Sequence, residues 1–530
     1  MVVAPTSRII LLKNPIEIDY MNELTFANLQ AQYNYFYNLP KLECENATYQ
    51  RKDEVVRFPT DPEMEDITYD DLIQYNYCMY QNDKWSNKWF YAFVKEVIYD
   101  NNGMSYISLE TDVWQTWMFD ITFKPSFIER EHVNSDNYGE HTIPEGLETG
   151  EYITAYSFDS TAIGTSHVVM GTTISPIDGT TAVTGGVYGG IYSGVKYYVF
   201  ETYTDLENAL NRIASNGNSN SIVSLFYCPD WITGYDTGSF DSNGIKLVQN
   251  SSSVSKASGL LIPLHPTAID GYTPKNKKLF THPYVGYLVS NNAGENITYH
   301  IEDFYYNEDT YNAGELYIFG TCTPGASIRL MPKYYKVKDT TFQEEYNNEY
   351  GLTGGKYPIA SWGNDTYTNW LTQNAVNIGL NALSTTANLL TGGNSDSSIL
   401  GGFFGIANSL AEIYQHTFNS MQASGNVNSG DVTYTAGKLT FSGYFMTIKR
   451  EYAMIIDQYF SAYGYKVNTY KTPNIYSRSN WNYVKTIGCN IIGDIPQNDI
   501  EKIKEIFNNG VTLWHNPSTF LDYSQNNTIV

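Results

Sequence analysis

Charge is what this sequence has least of. Only 17% of its 530 residues are Asp, Glu, Lys or Arg, and 32 basic groups against 56 acidic ones leave a net charge of −24. A chain so poor in cations does not grip a nucleic-acid backbone, because backbone contacts take clustered Lys and Arg. The negative sign fits either of two things: a wall that repels phosphates and lets nucleic acid slide past, or solubility alone. Cysteine is scarce as well. Cys44, Cys78, Cys228, Cys322 and Cys489 are odd in number, scattered, and form no CxxC pair. This pattern indicates neither a disulfide framework nor a zinc site, and reads as buried thiols in a protein assembled in a reducing compartment. No stretch holds 18 consecutive apolar residues, so no ordinary transmembrane helix is expected, and the run Ile9 to Leu12 is too short for a secretion signal.

Catalytic signatures are missing too. None of His132, His141, His167, His265, His282, His300, His416 and His515 belongs to an HExxH motif. There is no GxSxG elbow, Walker A loop or GxGxxG with a following acid. Cys228 and Cys322 lack a nucleophile signature, and acidic pairs such as Glu344–Glu345 read as solvated surface. No enzymatic activity, metal or cofactor is expected.

What the chain does have is 47 Tyr, 41 Gly and 42% hydrophobic residues, enough for a substantial core. Tyr and Thr favour half-buried strands and Gly and Asn favour turns, so the composition is β-rich. At about 150 residues per domain the length suggests three or four domains. KWFYAFVKEVIYD (88–100) and MSYISLETDVWQTW (104–117) read as strands around an NNG hairpin turn, and residues 134–150 are turn-rich and form a boundary. Residues 151–360 read as an inserted β-rich domain, with a helix over 205–215 capped by Thr204. Near the end, 444–468 reads as strand, helix and a Gly464 stop. Residues 496–515 carry a helix capped by Asn498 or Asp499, with Ile500, Ile503 and Phe507 on one face, Ile506 at its edge, and Gly510 at its end.

One segment stands apart. No Lys or Arg occurs between Lys356 and Lys438, and within 371–430 the only acidic groups are Asp396 and Glu412. Val376, Leu380, Leu383, Ala387 and Leu390 recur at helical spacing, as do Ile399, Phe403, Ile406, Leu410 and Ile413, with a GGNSDSS turn between them. Leu389, Leu400 and Phe404 add to the apolar content, while the opposite faces hold Asn, Ser, Thr and Gly rather than charge. Burying such groups in a bilayer costs far less than burying ionised ones, and Gly379, Gly401, Gly402 and Gly405 allow close helix approach. Each arm is short for a bilayer core of about 30 Å. A helical hairpin that enters membranes and a hairpin packed inside a larger assembly both fit the pattern.

Several blocks together resemble a known family. NKWFYAFV (87–94), with Trp89 and Phe90, is followed by ETDVWQTWMFDITFKPSFIEREHV (110–133), with Trp114, Trp117, Phe119, Phe127, Arg130 and His132. YGYKVN (463–468), NYVKT (482–486) and EIFNNGVTLWH (505–515), which contains Trp514, complete the pattern, and QYNYFYN (32–38) fits it more loosely. These blocks resemble the tail knob, or distal tail-tube protein, of small short-tailed podoviruses of the Salasmaviridae type that infect Bacillus. The motifs cover about the first 135 and last 85 residues.

The resemblance implies a mainly β (α+β) protein. Its tail-tube-like domain is built from N- and C-terminal segments, 1–145 and 433–530. A β-rich insert spans 146–360 and a hydrophobic loop spans 361–432. It implies a homo-hexamer made in the host cytoplasm and carried in the virion tail. Other tail proteins would contact it on the lower-collar side and at the distal tip. Viral DNA would pass through the lumen without sequence recognition, and host membrane lipid would receive the loops. In that setting Trp114, Trp117, Phe119 and Phe127 are expected as apolar anchors, and Glu129, Arg130 and Glu131 as an ion network between subunits. Asp396, Glu412 and His416 are the candidate pH-sensing groups, since neutralising the two acids lowers the cost of insertion. A receptor-binding tail protein, with wall carbohydrate on residues 151–360, and a wall-degrading tail enzyme remain as rivals.

Overall fold

The computed structural model describes residues 7–47, 50–59, 67–82, 88–101, 103–160, 166–234, 239–292, 294–305, 313–336, 345–356, 359–361 and 441–530. The expected helical hairpin, its residues from Val376 to Ile413, and Asp396, Glu412 and His416 lie outside the described residues. Among the described residues no helix is long and apolar enough to cross a membrane.

The chain is mainly β and forms two compact units. The first comprises Met1–Glu148, Tyr272–Leu279 and Glu451–Val530, and the second Thr149–Gly271 and Phe280–Arg450. The first unit contains a six-stranded antiparallel sheet in the order Lys41–Ala47, Ser7–Leu12, Tyr77–Asn82, Trp89–Asn101, Met104–Thr111, Val55–Pro59. Its hairpin at Asn101–Met104 is the one the NNG signal predicts. A second sheet runs Asn22–Leu24, Val511–Trp514, Trp481–Ile487, Ser126–Glu131, Tyr465–Lys471, so strands from both ends of the chain share one ladder. The Asn22–Leu24 pairing with Val511–Trp514 is parallel. The core between these elements is aromatic. Phe36 lies 4.6 Å from Tyr91 and stacks on Tyr77 at 5.4 Å, and Trp481 lies 5.1 Å from Trp514.

The second unit holds three main sheets. One is Tyr152–Asp159, Ser442–Ile448, Val285–Ser290, Asn296–Tyr299; another is Ser255–Pro263, Ala313–Gly320, Ser327–Pro332, Leu352–Lys356. The third is Ile245–Leu247, Lys196–Phe200, Ser166–Thr172, Ile222–Pro229, Ile359–Ser361, and a short hairpin pairs Gly186–Tyr188 with Ile191–Ser193.

Three local expectations change. The helix Tyr203–Ser215 starts two residues early, because Thr202 and Asp205 close a reciprocal capping box and leave Thr204 inside the helix. The helix Gln497–Asn509 has no side-chain cap, because Asp499 turns inward to Trp117 and Lys52. Within 104–117 the strand ends at Thr111, and Asp112 caps a helical turn over Val113–Trp117 by accepting the Gln115 N–H at 3.0 Å.

The helix Arg450–Tyr463 buries Ala453, Ile456, Asp457 and Phe460, an i, i+3, i+4, i+7 stripe. Gly464 ends it with φ +64, and its N–H reaches the Phe460 carbonyl at 2.8 Å. A Cβ at Gly464 would sit 2.2 Å from the Glu131 carbonyl oxygen. Gly464→Ala is therefore expected to cost about 2–4 kcal/mol, through left-handed strain and a backbone clash. The midpoint of denaturant unfolding measures it, and an unchanged midpoint would refute this account of the turn.

Candidate functional site: the buried charge latch around Glu145

The 110–133 block begins with the helical turn that Asp112 caps. It drives Trp114 and Trp117 into the core, where each indole N–H finds an acceptor: the Leu24 carbonyl at 3.0 Å and Asp499 Oδ2 at 2.8 Å. Between them, Gln115 Nε2 donates to Glu23 Oε2 at 2.9 Å and to the Leu24 carbonyl at 2.8 Å, and Gln32 Nε2 donates to Gln115 Oε1 at 3.0 Å. Tyr77 donates its hydroxyl to Asp112 Oδ2 at 2.7 Å. Glu23 and Asp112 are both fully buried. Burial pushes Asp112 up to about 6, against the hydrogen bond from Tyr77; burial, with Asp112 nearby, pushes Glu23 well above the usual carboxylate range. Glu23 Oε1 has no hydrogen-bond partner.

The strand Ser126–Glu131 then alternates as far as Glu129, and past a shift in register both Arg130 and Glu131 are buried. Ile128 points inward, while Phe127 remains 37% exposed, beside the exposed Tyr470 and Ile487 that the register places across from it. Phe119 is equally exposed. These two rings, expected as apolar anchors for strand packing, are therefore partly exposed on this chain. Trp89 and Phe90 do pack, against Tyr33 at 5.4 Å and Trp117 at 5.8 Å, and Trp514 is fully buried with its Nε1 on Asn22 Oδ1 at 3.1 Å.

Arg130 is buried, and its charge is met within the chain. Its Nη1 donates to the Gly464 carbonyl at 2.8 Å, its Nη2 pairs with Glu145, and its guanidinium lies 4.9 Å over the Tyr459 ring. Glu131 pairs with Lys471 and accepts the Asn474 N–H at 3.0 Å, while Glu129 pairs with Lys485 at 2.9 Å. Each of the three residues expected in an ion network between subunits thus has an ion-pair partner within the chain. Arg130 and Glu131 are over nine-tenths buried, and an unmatched charge there would cost several kcal/mol.

Glu145 is the centre of that network. Its side chain is wholly inaccessible and receives Arg130, Lys278 and the Lys466 N–H, the last at 3.0 Å. Lys278 belongs to the eight-residue return segment Tyr272–Leu279, which is held by two further carboxylates. Asp457 accepts the Tyr272 hydroxyl at 2.7 Å, the Lys275 N–H at 2.9 Å, and both the N–H and the side-chain amide of Asn276, at 3.0 and 2.8 Å. Asp136 accepts the Lys277 N–H at 3.0 Å and the Tyr465 hydroxyl at 2.9 Å. Burial lowers the Lys278 pKa, and Glu145 opposes the shift. Sequence reasoning missed this latch. Its visible signals were the KNKK run at 275–278 in a strongly acidic chain, and an acid, Asp457, on an otherwise apolar helix stripe.

His132 is fixed as a neutral imidazole. Its Nδ1 accepts the Tyr483 N–H at 2.8 Å, so Nε2 carries the proton and donates to the Ser461 carbonyl at 3.1 Å. Burial, helped by Arg478, brings its pKa down to about 3, and burial brings His515 down to about 4. Among the described residues no group of three His, Cys, Asp or Glu is placed to hold a metal ion. The site joins distant segments; its carboxylates are committed to backbone N–H groups and cations.

Residues 246–528, just over half the chain, match the family described as Bacillus phage phi29, Tail knob protein gp9, C-terminal domain, and residues 5–122 match the Caudoviral major tail protein N-terminus. The tail knob protein gp9 of Bacillus phage PZA is 28% identical, with 96% of both chains covered, and that of phage B103 is 26% identical, with 97% of both covered. The tail knob protein gp12 of bacteriophage C1 superposes with a TM-score of 0.63 over 99% of this chain and 100% of its own, at 15% identity, which speaks to fold alone.

Two tests follow from the latch and the imidazoles. Asp457→Ala strands the Tyr272 hydroxyl and two backbone N–H groups, so a loss of about 3–5 kcal/mol is expected, with faster tryptic cleavage at Lys275, Lys277 and Lys278. Unchanged cleavage would remove Asp457 from the role. Below its ordinary value of 6.5 each histidine protonates in the unfolded chain but not in the folded one, down to about 3 for His132 and about 4 for His515. The contribution of these two histidines to stability should therefore fall as pH drops from 6.5 towards 4, by on the order of several kcal/mol, while Glu23 and Asp112, whose pKa values are raised, act in the opposite sense. His132→Gln should flatten the slope by about one proton; an unaltered slope contradicts the neutral imidazole.

Proposed function

Because the chain belongs to the phi29 tail knob protein family, and so is a structural component of a phage virion tail, we propose that it forms the distal tube of a short tail as a homo-hexamer that conducts the genome and breaches the host membrane. In this reading the first unit is the tube domain, and the segment 361–432 is a hydrophobic loop that plugs the lumen and then enters lipid. The observation that carries the reading is the absence of Lys and Arg from 357–437, with Asp396 and Glu412 the only acids in 371–430. A surface segment of a soluble acidic protein normally keeps charge on its outer face; one that must be hidden first and meet lipid later cannot afford it. The net charge of −24 favours a lumen that DNA slides through, since phosphates meet repulsion rather than a grip. Other tail proteins hold the knob on the collar side and at the tip.

A second reading, adsorption to wall carbohydrate, draws on the Gly186–Ser193 hairpin, where Tyr192 is 71% and Ile191 56% exposed. An aromatic ring held out on a tight turn is the kind of platform that sugars stack on.

The test is dye release from anionic vesicles by full-length protein at pH 7 and pH 5, beside a variant lacking 369–430. Release by the full chain, stronger at pH 5, and none by the deletion is the expected result. Asp396→Asn with Glu412→Gln should bring the pH 7 release up to the pH 5 level. Equal inactivity of full chain and deletion at both pH values leaves a passive plug and refutes penetration. Six-fold rings with a central channel in electron micrographs are expected for the assembled protein, and a monomer in assembled tails would refute the tube.

A further inference from the structure

The scarcity of charge that marks 357–437 recurs on a surface of the second unit. No Asp, Glu, Lys or Arg occurs in 179–195, in 247–255 or in 316–328. A solvated surface normally carries about one charged residue in four. Gly190 to Tyr192 and Asn250 to Val254 are nonetheless exposed. Charges that border these runs have partners of their own: Lys246 the Ser239 hydroxyl, Lys256 the Tyr346 hydroxyl at 2.8 Å, and Glu315 the Lys333 ammonium at 3.3 Å.

Folding brings the three runs together. The Gly186–Ser193 hairpin turns through Gly189 and Gly190, at φ +58 and +81, the pair of left-handed residues that a tight two-residue turn requires. The second run lies along the strand Gly186–Tyr188: the Ser251 N–H donates to the Val187 carbonyl at 2.8 Å, and the Gly190 N–H to the Ser251 carbonyl at 3.3 Å. The third run meets the tip, where a Cβ at Gly189 would be 2.3 Å from Thr321 Cγ2. Tyr188 ties the hairpin down, buried and accepting the Tyr197 N–H on its hydroxyl at 3.2 Å. The other face is open. The register sets the largely exposed Tyr192 across from Val187, on the face away from Tyr188. The Tyr192 hydroxyl lies 2.8 Å from where a Cβ at Gly185 would stand, so the bare glycine lets the ring lie back along the hairpin. Tyr192 and Ser251 flank the same strand, about 10 Å apart across two strand spacings.

We propose that these three runs form a binding site for an uncharged polysaccharide of the host surface. The proposal rests on the second reading above and narrows it, from an exposed ring to a built site and from carbohydrate in general to a neutral glycan. The C–H face of a sugar ring lies against Tyr192, and its hydroxyls exchange hydrogen bonds with Asn250, Ser252 and Ser253. A polyanion, such as a polyol phosphate, needs guanidinium or ammonium groups to replace its water and counterions, and these runs supply none. Stacking and neutral hydrogen bonds also keep their strength in salt, whereas exposed charge pairs are screened. The tight turn and the bare Gly185 hold the ring in place beforehand, so little side-chain freedom is lost on binding. One such contact is weak; several copies of the chain in one tail add avidity without any new contact.

The test measures retention of full-length protein on Bacillus cell walls, with free polymers as competitors. Retention should survive about 0.5 M NaCl. One or more of dextran, amylose and chitohexaose should displace the protein, and polyglycerol phosphate should not. Tyr192→Ala should lower retention about tenfold and Asn250→Ala severalfold, while Tyr192→Phe, which keeps the ring, should retain most of it. Displacement by polyglycerol phosphate, loss of retention in salt, displacement by none of the neutral glycans, or full retention of Tyr192→Ala overturns the proposal. Six-fold rings and vesicle dye release should be the same for Tyr192→Ala as for the unaltered chain, so failure on walls leaves the tube reading standing. Loss of the rings with wall retention kept would make Tyr192 a contact between copies and overturn the site.

Discussion

The first unit depends on one carboxylate that has no access to water. Glu145 accepts its partners from three stretches of chain: Arg130 on the strand Ser126–Glu131, Lys278 on the return segment Tyr272–Leu279, and the Lys466 N–H on the strand Tyr465–Lys471. A buried ion pair adds little net stability relative to apolar packing, but losing one partner leaves a charge stranded, at about 3–5 kcal/mol. The consequence is specificity. Alternative arrangements of these three segments strand at least one charge, so the native arrangement is set apart from its competitors.

Asp457 and Asp136 extend the same logic from side chains to backbone. The return segment is too short to build a core of its own, and Asp457 accepts two of its backbone N–H groups and Asp136 a third. Around the latch sit groups that accept no charge. His132 is held neutral between two backbone partners, and Gly464 passes so close to Glu131 that no side chain fits. The sheet that combines Asn22–Leu24 with Val511–Trp514 completes the closure between the two ends of the chain, with Trp481 and Trp514 packed behind it.

For a tail component this economy of charge is consistent. Buried charges of the first unit such as Arg130, Glu131, Glu145 and Lys278 are paired within the chain, while 357–437 carries no cation at all. The solvation cost of an ion explains the first of these: a charge is kept inside only when matched. Much of the first unit was legible in the sequence for local reasons. The hairpin at Asn101–Met104, the helix ending at Gly464 and the face of Ile500, Ile503 and Phe507 follow from turn chemistry and periodicity. The latch was not legible, because a lone Asp on a helix stripe and a KNKK run lie far apart in sequence and carry no local signature of each other.

By itself the sequence determined the class of the molecule. Its Tyr-, Thr- and Gly-rich composition commits it to strands and turns, because those preferences depend on residue type and short spacing alone. Only the tertiary structure decided what the charged residues are for. Arg130 and Glu131, expected in an ion network between subunits, are both buried with partners inside the chain past a break in the strand register, while Phe127, expected as an apolar anchor, stays partly exposed. Asp499 reads as a helix cap and becomes the partner of Trp117 and Lys52. In each case the deciding partner lies tens to hundreds of residues away, and only folding brings it within a hydrogen bond.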